Sequence, residues 1–379
     1  MESKSSVSII INNYNYSRYL KEAIESALQQ SYRDIEIIIV DDGSTDTSAE
    51  VMNEYGNVAK LIFKQNGGQG SAFNAGFKES SGDVVIFLDA DDSLLPHAVT
   101  SILRQYNPET SSKVHWPLQV MDEHSINTNQ LTPAEKLPQG DLLDIVVNNG
   151  PNSYLSPPTS GNAWSRKFLE KVLPLPEEVY KISADSYLFM LAPLYGDIQR
   201  IDEPLSRYRL HGQNNFRGKP LEEKFLQSKV DRYESSCSIL HDHLEKLGHH
   251  GDVEKWKSNS WLEKLYAALS DLKQFVPEHH SLILADGDEW QIVSEFANRK
   301  FIPFTERNNQ YWGLPESDEQ AVNEVKRQIG NKAGYMFFAW PVFWYLDHYK
   351  KLNSYLNETH KCLIKNERLI GFKLINQGL

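Results

Sequence analysis

The chain has 379 residues, of which 40% are hydrophobic and 11% aromatic, so it can bury a large core and is neither disordered nor fibrous. Asp and Glu number 51 against 39 Lys and Arg, and the resulting net charge of −12 argues against nucleic acid as the main partner. The charge is uneven, because residues 326–379 carry nine basic and three acidic side chains, a net charge of +6.

The first part of the chain alternates strand and helix patterns. Mostly apolar runs predict buried strands over residues 7–11, 35–40, 61–64 and 84–88. Three helices are predicted between these strands: the first is capped by Ser17, the second has Thr47 and Glu50 as a capping box and ends near Tyr55, and the third covers residues 71–79. Short connections of this kind predict right-handed crossovers and a mostly parallel, Rossmann-like sheet covered by helices.

Beyond residue 92 the pattern becomes irregular. Proline-rich stretches occur at residues 133–138 and 151–158, and such segments commonly wrap around a site and shape it for one substrate. Residues 221–280 are charged and have a helical period, so we expect a helical connector. Its predicted packing positions are Trp256, Trp261, Leu265 and Leu269.

The last part of the chain, residues 281–379, is predicted to form a second small α/β domain. We expect strands over residues 282–285, 301–304 and 335–339, helices over 318–329 and 343–356, and a closing hairpin of residues 362–365 and 369–374.

An aromatic run, YMFFAWPVFWYL over residues 335–346, admits two interpretations. With its basic neighbours it could form an interfacial helix on an anionic membrane. Pro341 interrupts a single helix, however, and a strand followed by a helix explains the run as buried core. We favour the core.

The cysteine content and the amino-terminal sequence both bear on location. Cys237 and Cys362 form neither a disulfide framework nor a metal-ligand spacing. The first apolar run is too short for a signal peptide, and no run approaches the roughly 20 apolar residues of a spanning helix. We therefore expect a cytoplasmic protein, with peripheral contact at the inner face of the membrane as the alternative that the basic tail leaves open.

Acidic residues follow two of the predicted strands. Asp41 and Asp42 end the second strand in VDDGSTD, and Asp89, Asp91 and Asp92 end the fourth in FLDADD. Ligands of open parallel sheets bind outside the carboxyl ends of the strands, so both clusters are expected at one edge. Clustered carboxylates repel unless a cation neutralises them. Mn²⁺ or Mg²⁺ bridging a diphosphate is the solution that this pattern predicts.

Four segments, SVSIIINNYN, VDDGSTD, NGGQGSAFNAG and FLDADD, follow one another within residues 6–95. In order and spacing this part of the chain resembles the family-2 inverting glycosyltransferases of the GT-A fold. The resemblance implies transfer of a sugar from a nucleotide-diphosphate donor, with UDP expected, to a saccharide or lipid-linked acceptor in glycan synthesis. It also implies a catalytic domain over residues 1–220, with a nucleotide-binding half at 1–92 and an acceptor half at 93–220.

The resemblance assigns roles to residues of the first half. Asp91 is the expected direct metal ligand, and Asp89 and Asp41 are expected to hold the nucleotide. Phe73 stands where many relatives carry Arg, which puts any phosphate or packing role of that Arg in doubt. The further nucleotide-binding residues expected from this half are Asn12, Tyr14, Asp42 and Gly68.

The remaining site residues are expected further along the chain, where the matches are looser. Asp185 in SADSYLF stands where the family carries its catalytic base, with Ala184 in place of the usual Glu. Gly161 and Asn162 in SGNAWSR match the loop that the acceptor approaches. In YRLHGQNN, His211 is expected to complete the metal shell and Arg209 to meet the diphosphate.

Structural alternatives stand beside these roles. Asp42 can cap the turn that follows it, and Asp92 and Asp185 can be ordinary helix caps. The glycines near Gly68 can be present only because the backbone there needs positive φ angles. The alternative function is a non-catalytic module that binds a sugar nucleotide and regulates or scaffolds glycan assembly. A nucleotide-sugar pyrophosphorylase is disfavoured, because its glycine-rich, basic amino-terminal loop is absent.

Overall fold

The computed structural model describes residues 5–212, 223–290, 295–308 and 310–375. The chain divides into two compact units. Unit 1 comprises residues 1–215 with 234–256, and unit 2 comprises residues 216–233 with 257–379. The domain boundaries predicted from the sequence differ from this division and stay a proposal.

Unit 1 begins with the predicted alternation of strands and helices. Its apolar strand residues are buried: Ile9, Ile10 and Ile11 of the first strand have no exposed surface. The elements are β1 (Val7–Asn13), α1 (Ser17–Leu28), β2 (Ile35–Asp41), α2 (Ser48–Asn53), β3 (Lys60–Phe63), α3 (Gln69–Lys78) and β4 (Val84–Asp89).

The remainder of unit 1 consists of shorter elements. Single 3-10 turns lie at Thr159–Gly161 and Ala192–Leu194. The strands and helices are β5 (Ser93–Leu94), α4 (Ala98–Gln105), β6 (Ser111–His115), β7 (Leu118–Met121), β8 (Asn127–Thr132), α5 (Leu143–Asn149), β9 (Asn162–Ser165), α6 (Arg166–Val172), α7 (Ala184–Leu191), β10 (Asp197–Arg200) and β11 (Ser206–Arg209).

A seven-stranded sheet in the order β10-β6-β9-β4-β1-β2-β3 organises unit 1. Strands β4, β1, β2 and β3 are parallel to their neighbours in this run, as are β10 and β6, whereas β9 runs antiparallel between β6 and β4. A smaller sheet has the order β5-β11-β7-β8. The predicted mostly parallel α/β sheet is confirmed, and the carboxyl ends of β1, β2 and β4 lie side by side.

The predicted cap of α1 at Ser17 is wrong, whereas Thr47 occupies the predicted cap position of α2 without the predicted capping hydrogen bond. Tyr16 occupies the cap position of α1, and neither Tyr16 nor Thr47, which precedes α2, makes a side-chain capping hydrogen bond. Asp46 serves both helix starts instead: its two carboxylate oxygens accept hydrogen bonds from the backbone N–H groups of Ser17 and Ser48, each at 3.0 Å. A carboxylate placed at two helix N-termini satisfies donors that would otherwise need local caps.

The predicted helical connector is helical, and the strands and helices of the carboxyl-terminal part follow it. Trp256, Leu265 and Leu269 are buried, whereas Trp261 is 44% exposed and packs edge-to-face on Trp340 with ring centroids 6.2 Å apart. The elements are α8 (Glu223–Lys246), α9 (Val253–Asn259), α10 (Trp261–Phe275), β12 (Ser281–Ala285), β13 (Glu295–Phe296), β14 (Arg299–Pro303), β15 (Glu306–Arg307), β16 (Gln310–Tyr311), α11 (Asp318–Gly330), β17 (Tyr335–Ala339), α12 (Trp344–His348), α13 (Lys350–Thr359), β18 (Lys361–Lys365) and β19 (Leu369–Lys373).

Unit 2 is built on a six-stranded sheet in the order β13-β14-β12-β17-β19-β18, with β14, β12 and β17 parallel. Alternate residues of β17 enter different cores: Met336 and Phe338 join the core that includes α11 and α13, whereas Tyr335 and Phe337 join the core that includes α10. The sheet therefore carries a hydrophobic core on each face.

Most of the aromatic run is buried core, as favoured, although Trp344 is 46% exposed. All five residues of β17 are buried, and Pro341 lies in the turn that follows the strand. The single helix predicted over residues 343–356 is instead two helices that are separated at Tyr349, whose hydroxyl donates to the carbonyl of Pro315. In the part of the chain that the structure describes, no helix has the length and apolar character needed to cross a membrane.

Candidate active site

Two asparagines at the end of β1 hold the carboxylates of both neighbouring strands. The register pairs Asn12 with Asp89 and Asn13 with Asp41. The Asn12 amide donates to Asp89 at 2.6 Å, and the Asn13 amide donates to Asp41 at 2.8 Å. The central strand of the parallel run thus orients one carboxylate on each side, at the sheet edge where ligands bind.

The predicted acidic cluster forms beyond β4. Ligand atoms of Asp89, Asp91 and Asp92 all lie within 4.8 Å of one another. Burial, together with the charge of Asp91, raises the pKa of Asp89 to about 7 and raises that of Asp92 well above its ordinary value. Carboxylates this close together repel one another when they are ionised. A divalent cation such as Mg²⁺ or Mn²⁺, which prefers oxygen ligands, would fit among them, and its charge would relieve that repulsion.

His211 lies against the same cluster. Its Nε2 atom is 3.0 Å from the Asp91 carboxylate, and its ring packs on the rings of Tyr16 and Tyr19 at centroid distances of 5.5 and 5.1 Å. Burial and the nearby aspartates raise the pKa of Tyr16. The structure therefore brings together the two residues predicted to bind the metal, and a ligand role for both stays a prediction.

Arg209 is buried behind the cluster, with 1% of its surface exposed. Its backbone N–H donates to Asp92, and its Nε donates to the carbonyl of Asp91. The terminal nitrogens donate to Ser125 and to Glu22. This arrangement makes Arg209 a support for the acidic loop, and it does not favour the predicted contact with a diphosphate.

Asp92 is not the helix cap that the sequence suggests as an alternative. The next helix, α4, begins at Ala98, and the cap position belongs to His97. Asp92 instead accepts the backbone N–H of Arg209 at 3.0 Å. The carboxylate thereby joins the acidic loop to the end of β11.

Asp42 holds the glycine-rich loop that begins α3. Its carboxylate accepts from the backbone N–H groups of Gly67 and Gly68, at 3.0 and 2.7 Å, and pairs with Lys64 at 2.6 Å. Gly68 has a φ of +88°, and a β-carbon there would lie 2.6 Å from the carbonyl oxygen of Lys181. Both predicted nucleotide-binding residues therefore have structural partners that position the loop.

Gln69 connects the acidic cluster to the start of α7. Its amide donates to Asp89 at 3.3 Å and to the Thr159 hydroxyl at 3.2 Å. Its carbonyl oxygen accepts the backbone N–H of Ala184 at 2.9 Å. One side chain thus spans the two halves of the predicted site.

Asp185 lies in the first turn of α7, as predicted. Burial raises the pKa of its carboxyl, while the Thr159 hydroxyl and the charge of Lys113 act in the opposite direction. The same Thr159 hydroxyl accepts from Gln69, so Asp185 and Asp89 belong to one polar network. Ala184, which replaces the usual Glu, has no exposed surface.

The predicted acceptor residues are buried beneath the 157–161 loop. A β-carbon at Gly161 would lie 2.6 Å from Leu118. The Asn162 amide donates to the carbonyls of Pro158 and Thr159, at 2.8 and 3.2 Å, and Asn162 has no exposed surface. Gly161 and Asn162 therefore support the 157–161 loop from its buried side. Their burial does not favour the predicted contact of either residue with an acceptor.

Two residues of the first half differ in exposure. Tyr14 is 46% exposed at the end of β1, where a ring is free to meet a ligand. Phe73, in place of the Arg of many relatives, is fully buried and stacks on Phe87 with ring centroids 3.9 Å apart. The side chain at position 73 therefore serves packing in this chain.

Sequence reasoning missed Gln69, Asn13 and Lys113. Gln69 lies in a quoted motif, NGGQGSAFNAG, and Asn13 directly follows Asn12, so polar residues next to predicted site residues were a usable signal. Lys113 is fully buried in β6, and a single lysine in an irregular stretch has no such signal.

Comparison with known proteins identifies similar sequences. Residues 8–144 match the family described as Glycosyl transferase family 2. An uncharacterised glycosyltransferase of Nostoc sp. is 38% identical over 254 residues, which cover 65% of this chain and 78% of the relative. An uncharacterised glycosyltransferase of Rickettsia prowazekii is 45% identical over 143 residues, which cover 37% of this chain and 45% of the relative.

A solved structure resembles the chain over most of its length. TarS of S. aureus, in complex with UDP, is 15% identical and covers 96% of this chain and 95% of its own, with a TM-score of 0.49. The family match and the mostly parallel sheet confirm the predicted α/β fold of the GT-A class.

Proposed function

The chain belongs to glycosyltransferase family 2, and we propose that it is a metal-dependent inverting enzyme that moves a sugar from a UDP-sugar to a hydroxyl acceptor. One observation carries the proposal: Asp89 of the acidic cluster and Asp185 of α7 share a polar network through Gln69 and Thr159. Single displacement requires a base and a leaving-group site that reach the same sugar from opposite faces of its anomeric carbon, and one polar network that holds both carboxylates supports such an arrangement.

Asp185 is the proposed base. Its carboxylate would accept the proton of the acceptor hydroxyl as that oxygen forms a bond to the anomeric carbon. The bond from the anomeric carbon to the diphosphate oxygen breaks in the same step, and the nucleoside diphosphate leaves with the electron pair. Attack opposite the leaving group inverts the anomeric configuration.

Asp91 and His211 are the proposed metal ligands, with Asp89 beside them. Their hard oxygen atoms and one ring nitrogen suit Mn²⁺ or Mg²⁺. Such a cation, when bound, neutralises charge on the diphosphate leaving group. Asn12, Tyr14 and Asp41 are proposed to hold the nucleotide.

The acceptor is proposed to be a saccharide or a lipid-linked saccharide in glycan synthesis. The basic segment of residues 326–379 supports a peripheral contact with anionic lipid. Co-sedimentation with phosphatidylglycerol vesicles tests this contact, since binding that is lost in high salt supports it and equal recovery with neutral vesicles contradicts it.

The donor and the metal are tested together by thermal shift. The protein is screened with UDP, GDP and their common sugar conjugates, with Mn²⁺ or with EDTA. A ligand at 100 times its dissociation constant stabilises the native state by about 2.7 kcal/mol. We expect this stabilisation from UDP compounds with Mn²⁺ and its loss in Asp91→Asn. Equal stabilisation in EDTA, or by GDP compounds alone, contradicts the proposal.

The base is tested separately with Asp185→Asn. Loss of a general base lowers the rate by roughly 10²–10⁴-fold. We expect this loss in UDP release from the stabilising donor, while thermal shift by UDP and Mn²⁺ is retained. Asp202→Asn is the matched control, because Asp202 is 68% exposed in a surface ion pair with Arg200. Transfer at the wild-type rate in Asp185→Asn rules out the assigned base.

The alternative of a non-catalytic sugar-nucleotide module is disfavoured, because the chain belongs to a family of enzymes. Its support is Ala184 in place of Glu and Phe73 in place of Arg. Ala184 is buried with its backbone N–H held by Gln69, and Phe73 is buried and stacks on Phe87. Tight binding of UDP with no UDP release from any donor across a panel of acceptors would restore this alternative.

A further inference from the structure

Residues 67–70, which we call the 67–70 segment, have the composition of a phosphate-binding loop. Glycines at the start of a helix commonly present backbone N–H groups to an anion, and this segment leads into α3. In this chain all four of its backbone N–H groups donate to protein acceptors instead. Two donate to the Asp42 carboxylate, and two donate to the backbone carbonyls of Tyr180 and Lys181. The donors that a phosphate would need are therefore already used.

The 67–70 segment contacts the chain before α7 backbone to backbone. The N–H groups of Gln69 and Gly70 donate to the carbonyls of Lys181 and Tyr180, at 2.8 and 3.0 Å. Glycine permits this approach, because a β-carbon at Gly70 would lie 2.7 Å from the carbonyl oxygen of Tyr180. The segment is therefore held directly against the residues that lead into α7.

The side chain of Gln69 extends this contact to the first turn of α7. Ser183, at the cap position of that helix, has a left-handed backbone with a φ of +64° and makes no side-chain capping hydrogen bond. The Gln69 carbonyl oxygen takes the place of such a cap and accepts the backbone N–H of Ala184 at 2.9 Å. A residue other than glycine keeps a left-handed conformation only where its surroundings hold it, so Gln69 stabilises the start of α7.

The other end of the Gln69 amide is anchored at the proposed donor site. Its nitrogen donates to Asp89 at 3.3 Å and to the Thr159 hydroxyl at 3.2 Å. The oxygen and nitrogen of the amide cannot exchange places, because the backbone N–H of Ala184 requires an acceptor. One planar amide therefore joins the carboxylate of Asp89 to the residue that directly precedes Asp185.

We propose that the 67–70 segment is a clamp for the base and not a cradle for phosphate, with Gln69 as the positioning residue that holds Asp185 against the donor. The inference rests on the proposed function, in which Asp185 is the base. A carboxylate next to the clamped N–H moves with it, and a misplacement of about 1 Å can lower a rate roughly 10²-fold. Loss of the Gln69 hydrogen bonds is therefore expected to slow transfer.

Donor binding is expected to survive this loss, because Asp89 keeps its shorter hydrogen bond. The Asn12 amide donates at 2.6 Å to the same oxygen of Asp89 that Gln69 contacts at 3.3 Å. The backbone N–H of Asp89 also donates to the Ser160 hydroxyl at 3.1 Å. Removing Gln69 therefore leaves the carboxylate of Asp89 in place while the start of α7 loses its cap.

The test compares rate and affinity in the full chain. Gln69→Met keeps the length of the side chain and removes its hydrogen bonds, and Gln69→Asn keeps the amide on a shorter side chain. With Mn²⁺ and the UDP-sugar selected by thermal shift, we expect both variants to lower kcat roughly 10–100-fold. We expect the KM for donor and the calorimetric Kd for UDP to stay unchanged. Gln65→Met is the matched control, because Gln65 is an exposed glutamine of the same loop.

A double variant separates positioning of the base from a structural role. If Gln69 acts through Asp185, Gln69→Met combined with Asp185→Asn is expected to be no slower than Asp185→Asn alone. A loss of kcat that adds to that of Asp185→Asn would show that Gln69 acts on something other than the base, and it would overturn the inference.

Three further results overturn the inference. They are a wild-type kcat in Gln69→Met, a raised Kd for UDP at unchanged kcat, which would assign the segment to phosphate binding, and a failure of both Gln69 variants to fold. Failure of the proposed function is distinguishable. If Asp185→Asn transfers sugar at the wild-type rate, the base assignment fails; if it is inactive while Gln69→Met keeps the wild-type kcat, only the clamp fails.

Discussion

Asp89 is held where a carboxylate is hard to ionise. Asn12 and Gln69 donate to it, but burial and the charge of Asp91 outweigh these hydrogen bonds and raise its pKa to about 7. The unfolded-state pKa of an aspartate is about 4. Between these values the folded protein binds more protons than the unfolded protein, so this group lowers stability progressively as the pH rises from about 4 to about 7.

Replacing Asp89 with Asn removes this penalty in metal-free protein. In EDTA at pH 8 we expect Asp89→Asn to raise the free energy of unfolding by up to about 4 kcal/mol, the energy of a pKa difference of about three, and we expect the gain to vanish near pH 4. Urea unfolding at both pH values measures the difference. Asp202→Asn serves as the control and is expected to change little.

The opposite sign is expected with ligand present. Mn²⁺ and UDP stabilise the wild type by binding the native state, and Asp89→Asn is expected to lose part of that stabilisation. A variant that is less stable than the wild type in EDTA at pH 8 contradicts the assigned electrostatic cost of Asp89.

At the level of elements, the loop before α3 depends on close backbone approach. Gly68 combines a φ of +88° with a neighbouring backbone oxygen 2.6 Å from any β-carbon. Gly140 has a similar φ of +93° with open space around its β-carbon position. Substituting alanine at Gly140 introduces backbone strain alone, whereas substituting alanine at Gly68 introduces both backbone strain and a steric clash.

Gly68→Ala is expected to lower the free energy of unfolding by about 2–4 kcal/mol, because both strain and clash act. Gly140→Ala is expected to cost about 1 kcal/mol, because strain acts alone. Urea unfolding of both variants at pH 8 makes the comparison. Equal losses would show that contact with Lys181 does not hold the loop.

The elements of unit 1 are largely predictable from local sequence, and their ends are less so. Mostly aliphatic runs such as Ile35–Val40 form central strands, in which Ile37–Val40 are buried, and this composition explains why β2 can be predicted from the sequence. The capping hydrogen bonds predicted for Ser17 and Thr47 do not form, because the carboxylate of Asp46, distant from α1 in sequence, accepts from the first backbone N–H groups of both helices. A cap supplied by a tertiary contact leaves no local pattern.

At the level of the whole molecule, two units have separate hydrophobic cores. The core of unit 1 lies along β1, β2 and β4, and the cores of unit 2 lie on the two faces of its own sheet. Units with separate cores tend to unfold separately. The proposed donor site lies within unit 1.

Calorimetry of the full chain is therefore expected to show two transitions. UDP with Mn²⁺ is expected to raise one of them, and Gly68→Ala to lower that same transition. The other transition, that of unit 2, is expected to change in neither experiment. A single transition that moves as a whole contradicts the separation of the units.

The sequence by itself determined the alternating α/β pattern, the acidic motifs and the family. These features depend on local order: aliphatic runs specify strands, and the motifs that carry Asp41, Asp89 and Asp91 stand directly at strand ends. Their convergence on one edge follows from the parallel arrangement of β2, β1 and β4.

Only the tertiary structure decided which side chains meet across long separations. Gln69 reaches the start of α7, Lys113 lies over the Phe189 ring of α7, and Arg209 is buried behind the acidic loop. The partners in these contacts are separated by tens of residues and by irregular segments, so no periodicity relates them. Burial and hydrogen bonding in the folded chain, and not residue type, distinguish a supporting side chain from one that is free to meet a ligand.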